Sequence, residues 1–296
     1  MNTKSFVYTI FFFMLILFNH TTTAQVQFGV FADCQYCDCE TSGSRFYRNS
    51  KIKLGECIRQ FNQNKNISFV VGLGDLIDRD FNSFDTINAV LATSEKEVFQ
   101  VIGNHDLAVQ KEFLEKVPEK LNLTQTWYSF AKKGWLFVFL DGNEITFNSN
   151  NPAIVRQAEE ITQQLKKENK PNYHHWNGGI GTSQLIWLEK QLQQAETKKM
   201  KVILFCHYPL LPVEAHTLWN TEEVLTLLQK YHCVKLWLNG HNHAGNYAFQ
   251  HGIHFVNLKG MVETENHNTF AEVDLTDKKI TIKAFGLEEN RILKIE

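Results

Sequence analysis

The sequence predicts an α/β protein in which two β-sheets pack against each other with helices outside. Two observations carry this. Short apolar segments rich in β-branched and aromatic residues alternate with helical patterns, and the chain closes on an antiparallel hairpin. The segments are Val26 to Ala32, Phe69 to Leu73, Val98 to Ile102, Leu136 to Leu140, Val202 to Cys206 and Leu236 to Leu238. Short continuous apolar runs of this kind suit strands buried on both faces.

Between them, Lys51 to Phe61 brings Ile52, Cys57, Ile58 and Phe61 near one side of a helix. Ser183 is expected to cap a helix carrying Leu185, Leu188 and Leu192, and Thr221 one carrying Val224, Leu227 and Leu228. The hairpin comprises Thr269 to Leu275, a turn at Asp277 and Lys278, and Ile280 to Phe285. The stretch from Gly142 to Gly179 shows no strand pattern and holds Tyr173, His174, His175 and Trp176. It reads either as a substrate lid or as a surface insertion around a core Trp.

The chain is 43% hydrophobic and 21% charged, a balance that excludes disordered and fibrous classes. Its formal net charge of −2 gives no reason to expect a nucleic-acid polymer as partner. Lys4, the apolar run Phe6 to Phe18, and the polar-then-small Thr21 to Ala24 read as a signal peptide over residues 1–24. The run is shorter than the roughly 20 residues of a membrane span, so no span is expected to remain after its removal; an uncleaved anchor is the alternative. Residues 25–296 then form one domain of an exported protein, periplasmic or secreted, expected to be a monomer.

Export would permit disulfides among Cys34, Cys37, Cys39, Cys57, Cys206 and Cys233, with connectivity left open. Pairing of Cys37 with Cys39 is expected to be strained. Buried thiols, or one disulfide involving Cys57 or Cys233, are favoured over metal ligation. Cys34 should point away from Asp33 and Gln35 by strand alternation.

The predicted strands end in a series of polar groups: Asp33-Cys34-Gln35, Gly74-Asp75, Gly103-Asn104-His105, His207, and Gly240-His241-Asn242-His243. Each places an oxygen or nitrogen donor at the carboxyl end of a strand, where α/β sheets gather ligands. Any one alone reads as a turn or a surface pair; the ordered set is far more specific.

As a set, these motifs resemble the calcineurin-like metallophosphoesterase superfamily, over about Phe28 to Phe285. The resemblance implies a four-layer α-β-β-α sandwich of two mixed sheets with a dinuclear metal site at the strand ends. It implies one ion on Asp33, Gln35, Asp75 and His243, and another on Asp75, Asn104, His207 and His241, with a water or hydroxide between them. Two divalent ions outweigh Asp33, Asp75 and a hydroxide, so such a site stays positive and attracts phosphate. His105 is implied to donate a proton to the leaving oxygen or to hydrogen-bond the phosphoryl group.

Gln35 stands where most members of the superfamily have His. Its amide oxygen makes that site harder and favours Mn²⁺ or Mg²⁺ over Zn²⁺. Asp78 stands where purple acid phosphatases have Tyr, which argues against an iron-tyrosinate centre. Phe28 to Tyr36, Arg45 to Ser50, Asn177-Gly178-Gly179-Ile180-Gly181 with Gln184-Leu185-x-Trp187-Leu188, and Val262-Glu263-Thr264 resemble the manganese-dependent ADP-ribose/CDP-alcohol diphosphatases. That likeness implies cleavage of the diphosphate link of ADP-ribose, CDP-choline and related nucleotides, with some action on cyclic nucleotides.

Arg45 and Arg48 follow the first ligand loop, so each is a candidate for the second phosphate; solvated surface arginines are the plainer reading. Asp38 and Asp78 read as partners of a histidine or as turn residues, and Asp106 as a group that orients its neighbours. A phosphomonoesterase or phosphodiesterase on the same metals is the alternative activity. A metal-stabilised binding protein is a third, disfavoured because the whole ligand set and His105 are present.

Overall fold

Pleating sends Phe28, Val30 and Ala32 to one side of the first strand and Phe31 to the other, and both sides are buried. A strand with two apolar faces must be covered twice, which dictates the layering of the whole molecule. The structure, a computed structural model, describes residues 26–295, so the expected signal peptide lies outside the described residues.

In chain order the strands are β1 (Val26–Phe31), β2 (Ile67–Gly72), β3 (Val98–Gln100), β4 (Tyr128–Lys132), β5 (Trp135–Phe139), β6 (Lys201–Phe205), β7 (Val234–Asn239), β8 (Asn246–Gln250), β9 (Ile253–Asn257), β10 (Thr269–Leu275), β11 (Lys279–Gly286) and β12 (Arg291–Lys294). The helices are α1 (Asn49–Gln63), α2 (Ser83–Leu91), α3 (Val117–Lys120), α4 (Pro152–Lys167), α5 (Thr182–Thr197) and α6 (Thr221–Leu228). The strands form two six-stranded mixed sheets, ordered β12-β11-β10-β1-β2-β3 and β4-β5-β6-β7-β9-β8. β1, β2 and β3 are parallel, as are β5, β6, β7 and β9, while the outer strands pair antiparallel.

Between the sheets lies an aromatic core. Phe28 stacks on Phe69 at 5.2 Å and meets Phe205 edge-on at 5.7 Å, while Phe69 meets Phe137 at 5.0 Å. Outside the first sheet, Phe31 and Val70 pack with Leu54, Ile58 and Phe61 of α1 and Phe84 and Ile87 of α2. Outside the second, Val138 and Leu204 pack with Leu188 and Leu192 of α5 and Val224 and Leu228 of α6. This is the expected α-β-β-α sandwich. Parallel strands need crossovers, so the carboxyl ends of β1 to β3 and of β6 and β7 all open at one edge.

The structure corrects several local expectations. The N-cap of α5 is Gly181, and Ser183 lies inside the helix. The N-cap of α6 is Asn220, while the Thr221 hydroxyl donates to the Leu210 carbonyl. Neither start is capped by a side chain; the Asn220 Oδ1 instead accepts from Ile180 N at 3.0 Å, which ties the segment before α5 to the start of α6. Residues 142–179 carry α4, whose Ala158 packs with Ile145 and Trp219. Cys37 and Cys39 form a disulfide with each other rather than with Cys57 or Cys233. The intervening Asp38 is turned out to solvent, so the loop brings its two neighbours to the same side. Cys34, Cys57, Cys206 and Cys233 are free and buried.

Candidate metal centre

Each predicted ligand sits just past a strand end. Asp33 and Gln35 follow β1, Asp75 follows β2, Asn104 follows β3, His207 follows β6, and His241 and His243 follow β7. Several of these residues are held in the left-handed backbone region that side chains avoid: Asp33 (φ 51°), Gln35 (φ 44°), Asp75 (φ 53°) and His241 (φ 70°). Each such residue costs about 1–2 kcal/mol, a strain typical of functional sites. The turns also demand glycine. Gly74 has φ 88°, and a Cβ there would lie 2.7 Å from His207 Nδ1. A Cβ on Gly240 would collide with the Asp33 carboxylate.

Two donor groups result: Asp75, His207 and His241, and Asp33, Asp75 and His243, each with its ligand atoms within 4.8 Å of one another. Asp75 belongs to both. Its Oδ2 lies 3.3 Å from His207 Nε2 and 2.9 Å from Gln35 Nε2. Asn104 Oδ1 is 3.1 Å from His207 Nε2, which is 3.1 Å from His241 Nδ1. Gln35 Nε2 is 3.1 Å from His243 Nε2, which lies 3.5 Å from Asp33 Oδ1. All seven predicted ligands thus converge.

The far nitrogen of every imidazole is occupied. His207 Nδ1 donates to the Leu73 carbonyl at 2.8 Å, His243 Nδ1 meets Glu263 Oε1 at 2.7 Å, and His241 Nε2 meets Asn177 Oδ1 at 2.9 Å. An imidazole fixed from outside through one nitrogen aims the other nitrogen inward, the orientation a metal ligand needs. Gln35 Oε1 is buried with no hydrogen-bond partner. Inward imidazole nitrogens crowded around carboxylates, with a buried amide oxygen that has no other partner, are the donor set of a cation cradle, so these residues fit divalent ions.

The surroundings hold the cradle still. Asp106 accepts the backbone N–H groups of Gly103, Asp75, Leu76 and Ile77 at 2.8 to 3.1 Å, which clamps the β2 and β3 loops together. Burial and the neighbouring Asp75 carboxylate push its pKa up, against the pull of those N–H groups. Burial also opposes ionisation of Asp75, but the imidazoles of His207 and His105 outweigh it and hold that carboxyl well below the usual range. Burial and the neighbouring His207 keep His241 neutral, well below the ordinary imidazole value. His105 donates its backbone N–H to Asp75 Oδ1 at 2.8 Å, and its Nδ1 rests on Asp78, which also pairs with Arg79.

Above the cradle opens a cleft of about 470 Å³. A larger hollow of about 580 Å³ lies between α2 and β4 and touches none of these residues. The cleft is walled by Arg45, Phe147, His175, Trp176 and His216. Trp176 stacks on His174 at 4.2 Å, and His216 packs edge-on to His241 at 5.3 Å. The 142–179 stretch therefore supplies one wall. Arg48 does not reach the cleft: it pairs with Asp38 at 2.5 Å and Glu40 at 2.8 Å on the surface. Two acidic side chains within ten residues of Arg48 outbid the distant site, which corrects its expected role. Sequence reasoning missed Asn177 as a contact, and Phe147, His216 and the Glu263–His243 pair; Asn177 and Glu263 lie in motifs that carried the family likeness, whereas Phe147 and His216 have no local signal beyond their residue type.

A buried pair of donor groups sharing one carboxylate, at the strand ends of a double-sheet sandwich, defines a binuclear metal-dependent hydrolase. Residues 26–245 match the family model described as calcineurin-like phosphoesterase, and the chain belongs to that family. It is 31% identical to an Arabidopsis thaliana protein named manganese-dependent ADP-ribose/CDP-alcohol diphosphatase, over 86% of this chain and 92% of the relative. A Mus musculus protein of the same name is 28% identical over 90% of this chain and 92% of its own length. The fold matches the crystal structure of a dimetal phosphatase from Danio rerio, with TM-score 0.84 and 24% identity over 92% of this chain and 100% of that one.

Proposed function

We propose that this chain hydrolyses the diphosphate bond of nucleotide derivatives such as ADP-ribose or CDP-alcohols, using two Mn²⁺ ions. The observation that carries the reading is the shared Asp75 beneath a cleft with an arginine and an aromatic wall. Asp33, Gln35, Asp75 and His243 would hold one ion, and Asp75, Asn104, His207 and His241 the other. When bound, the ions would acidify a water and neutralise charge on the attacked phosphoryl group. The relatives' names support manganese, and so does the hard amide oxygen of Gln35.

His105 is the group poised to protonate the leaving oxygen. Asp78 engages its Nδ1, a carboxylate contact that favours the imidazolium, the form whose Nε2–H can be given to the leaving group, and the residue lines the cleft. Arg45 lines the cleft, its Nε 3.9 Å from Glu263, and its guanidinium suits the second phosphate. The faces of Trp176 and His216 suit a nucleobase.

The test is hydrolysis by metal-stripped protein after return of Mn²⁺, Mg²⁺ or Zn²⁺, comparing kcat/KM for ADP-ribose, CDP-choline and p-nitrophenyl phosphate. Mn²⁺-dependent release of AMP and CMP, with a much slower monoester, is expected. A fast monoester with inert diphosphates would move the protein to phosphomonoester chemistry on the same site.

We also propose export, on the strength of residues 1–24 alone. The expected mature protein begins at Gln25 and fractionates outside the cytoplasm; an intact Met1 in a cytoplasmic fraction would overturn this.

A further inference from the structure

Lys53, in the second turn of α1, is 3% exposed. A buried lysine far from any nucleophilic task calls for an explanation. Its Nζ donates to three backbone carbonyls of one loop: Met261 at 2.6 Å, Thr264 at 2.7 Å and Glu263 at 2.8 Å. The remaining carbonyl of that run, on Val262, accepts from Phe46 N at 2.9 Å. Three carbonyls converging on one point form a cation cradle, and the ammonium fills it. Burial lowers the pKa of Lys53, but only to about 8, so it is charged at neutral pH.

The loop it grips faces the metal centre on its other side. Met261 N and Val262 N donate to the carbonyls of Ala32 and Asp33 at 3.0 and 2.9 Å. Glu263 reaches His243 Nδ1 at 2.7 Å. Thr264 adopts φ 64°, a left-handed backbone that something must enforce. Arg45 pairs with the same loop through a bridge to Glu263.

We propose that Lys53 is a positioning residue for the metal centre: its ammonium fixes the carbonyls of residues 261–264, so that Glu263 orients the His243 imidazole toward the ion. This rests on His243 being a metal ligand. The action runs through Glu263, so the two residues must be coupled rather than additive.

The test is a double-mutant cycle on the full chain, read as Mn²⁺ affinity from the electron paramagnetic resonance of free Mn²⁺, with His243→Ala as control. Glu263→Gln is expected to weaken whichever of the two ions His243→Ala weakens, by about 10–100-fold. Lys53→Met should weaken it about 10-fold and should change it less than about 2-fold when Glu263→Gln is already present. Lys53→Gln keeps a donor and should fall between wild type and Lys53→Met; it also serves should the methionine variant not fold. A lowered Tm with unchanged Mn²⁺ affinity, or an equal loss in both backgrounds, would show a purely structural lysine and overturn the proposal. Unchanged Mn²⁺ affinity in His243→Ala would instead remove the ligand assignment, and this inference with it.

Discussion

The floor and the wall of the cleft are built by different means. On the floor, Asp33, Gln35, Asp75 and His207 are at most 1% exposed and are locked by backbone hydrogen bonds across strand ends. Asp33 N donates to the Gly74 carbonyl, Gln35 N to the Asp75 carbonyl, and His241 N to the Asp33 carboxylate. On the wall, Trp176 and His216 are partly exposed and are placed by ring contacts from loops. The floor thus has one arrangement, enforced by two sheets. The wall has graded contacts that a substrate can share. Chemistry should therefore fail abruptly on the floor, while binding should change by degrees on the wall.

The sharpest break is Asp75→Asn, since both donor groups share that carboxylate. Bound Mn²⁺ should fall from two per chain to one or none, with kcat down by about 10³ or more, because metals supply several kcal/mol of charge stabilisation. Retention of two ions, counted by metal analysis after desalting, would show that Asp75 does not bridge. Next comes His105→Ala, which should lower kcat about 10²–10⁴-fold with both ions kept. Equal loss of metal would recast His105 as part of the cradle rather than the acid.

On the wall, Trp176→Ala should raise KM for ADP-ribose roughly 3–10-fold and leave kcat within a few fold, since an aromatic stack contributes about 0.5–1.5 kcal/mol. The rate on p-nitrophenyl phosphate, which has no nucleobase, provides the control. A parallel drop with both substrates would place Trp176 in the structure of the cleft instead. Smallest of all is Arg48→Ala. Its ion pairs are exposed, so kcat/KM should change by less than about 2-fold and Tm should stay close to the wild-type value. A tenfold fall in kcat/KM would restore Arg48 to the substrate site.

The strand-end ligands were legible because two rules act locally. A strand buried on both faces must be a short apolar run, and the polar residues that end it must be there for a reason. Asp33, Asp75, Asn104, His207 and His241 all follow that logic. The wall escaped it. Nothing near His216 in the sequence distinguishes it from a surface histidine, and Trp176 reads equally as core. The caps of α5 and α6 escape local rules because Asn220 spends its side chain on Ile180, 40 residues away, and neither helix has a side-chain cap.

By itself, then, the sequence determined the two-sheet α/β class, the family, and the set of donors at the carboxyl edge, since periodicity and strand-end chemistry are local properties of the chain. Tertiary structure alone decided which of the two arginines faces the cleft, that Cys37 bonds Cys39, and that Lys53 grips a loop 208 or more positions away. Those outcomes depend on which strands become neighbours. β1 lies between β2 and β10, so segments from opposite ends of the chain meet at Asp33, and no local pattern records that meeting.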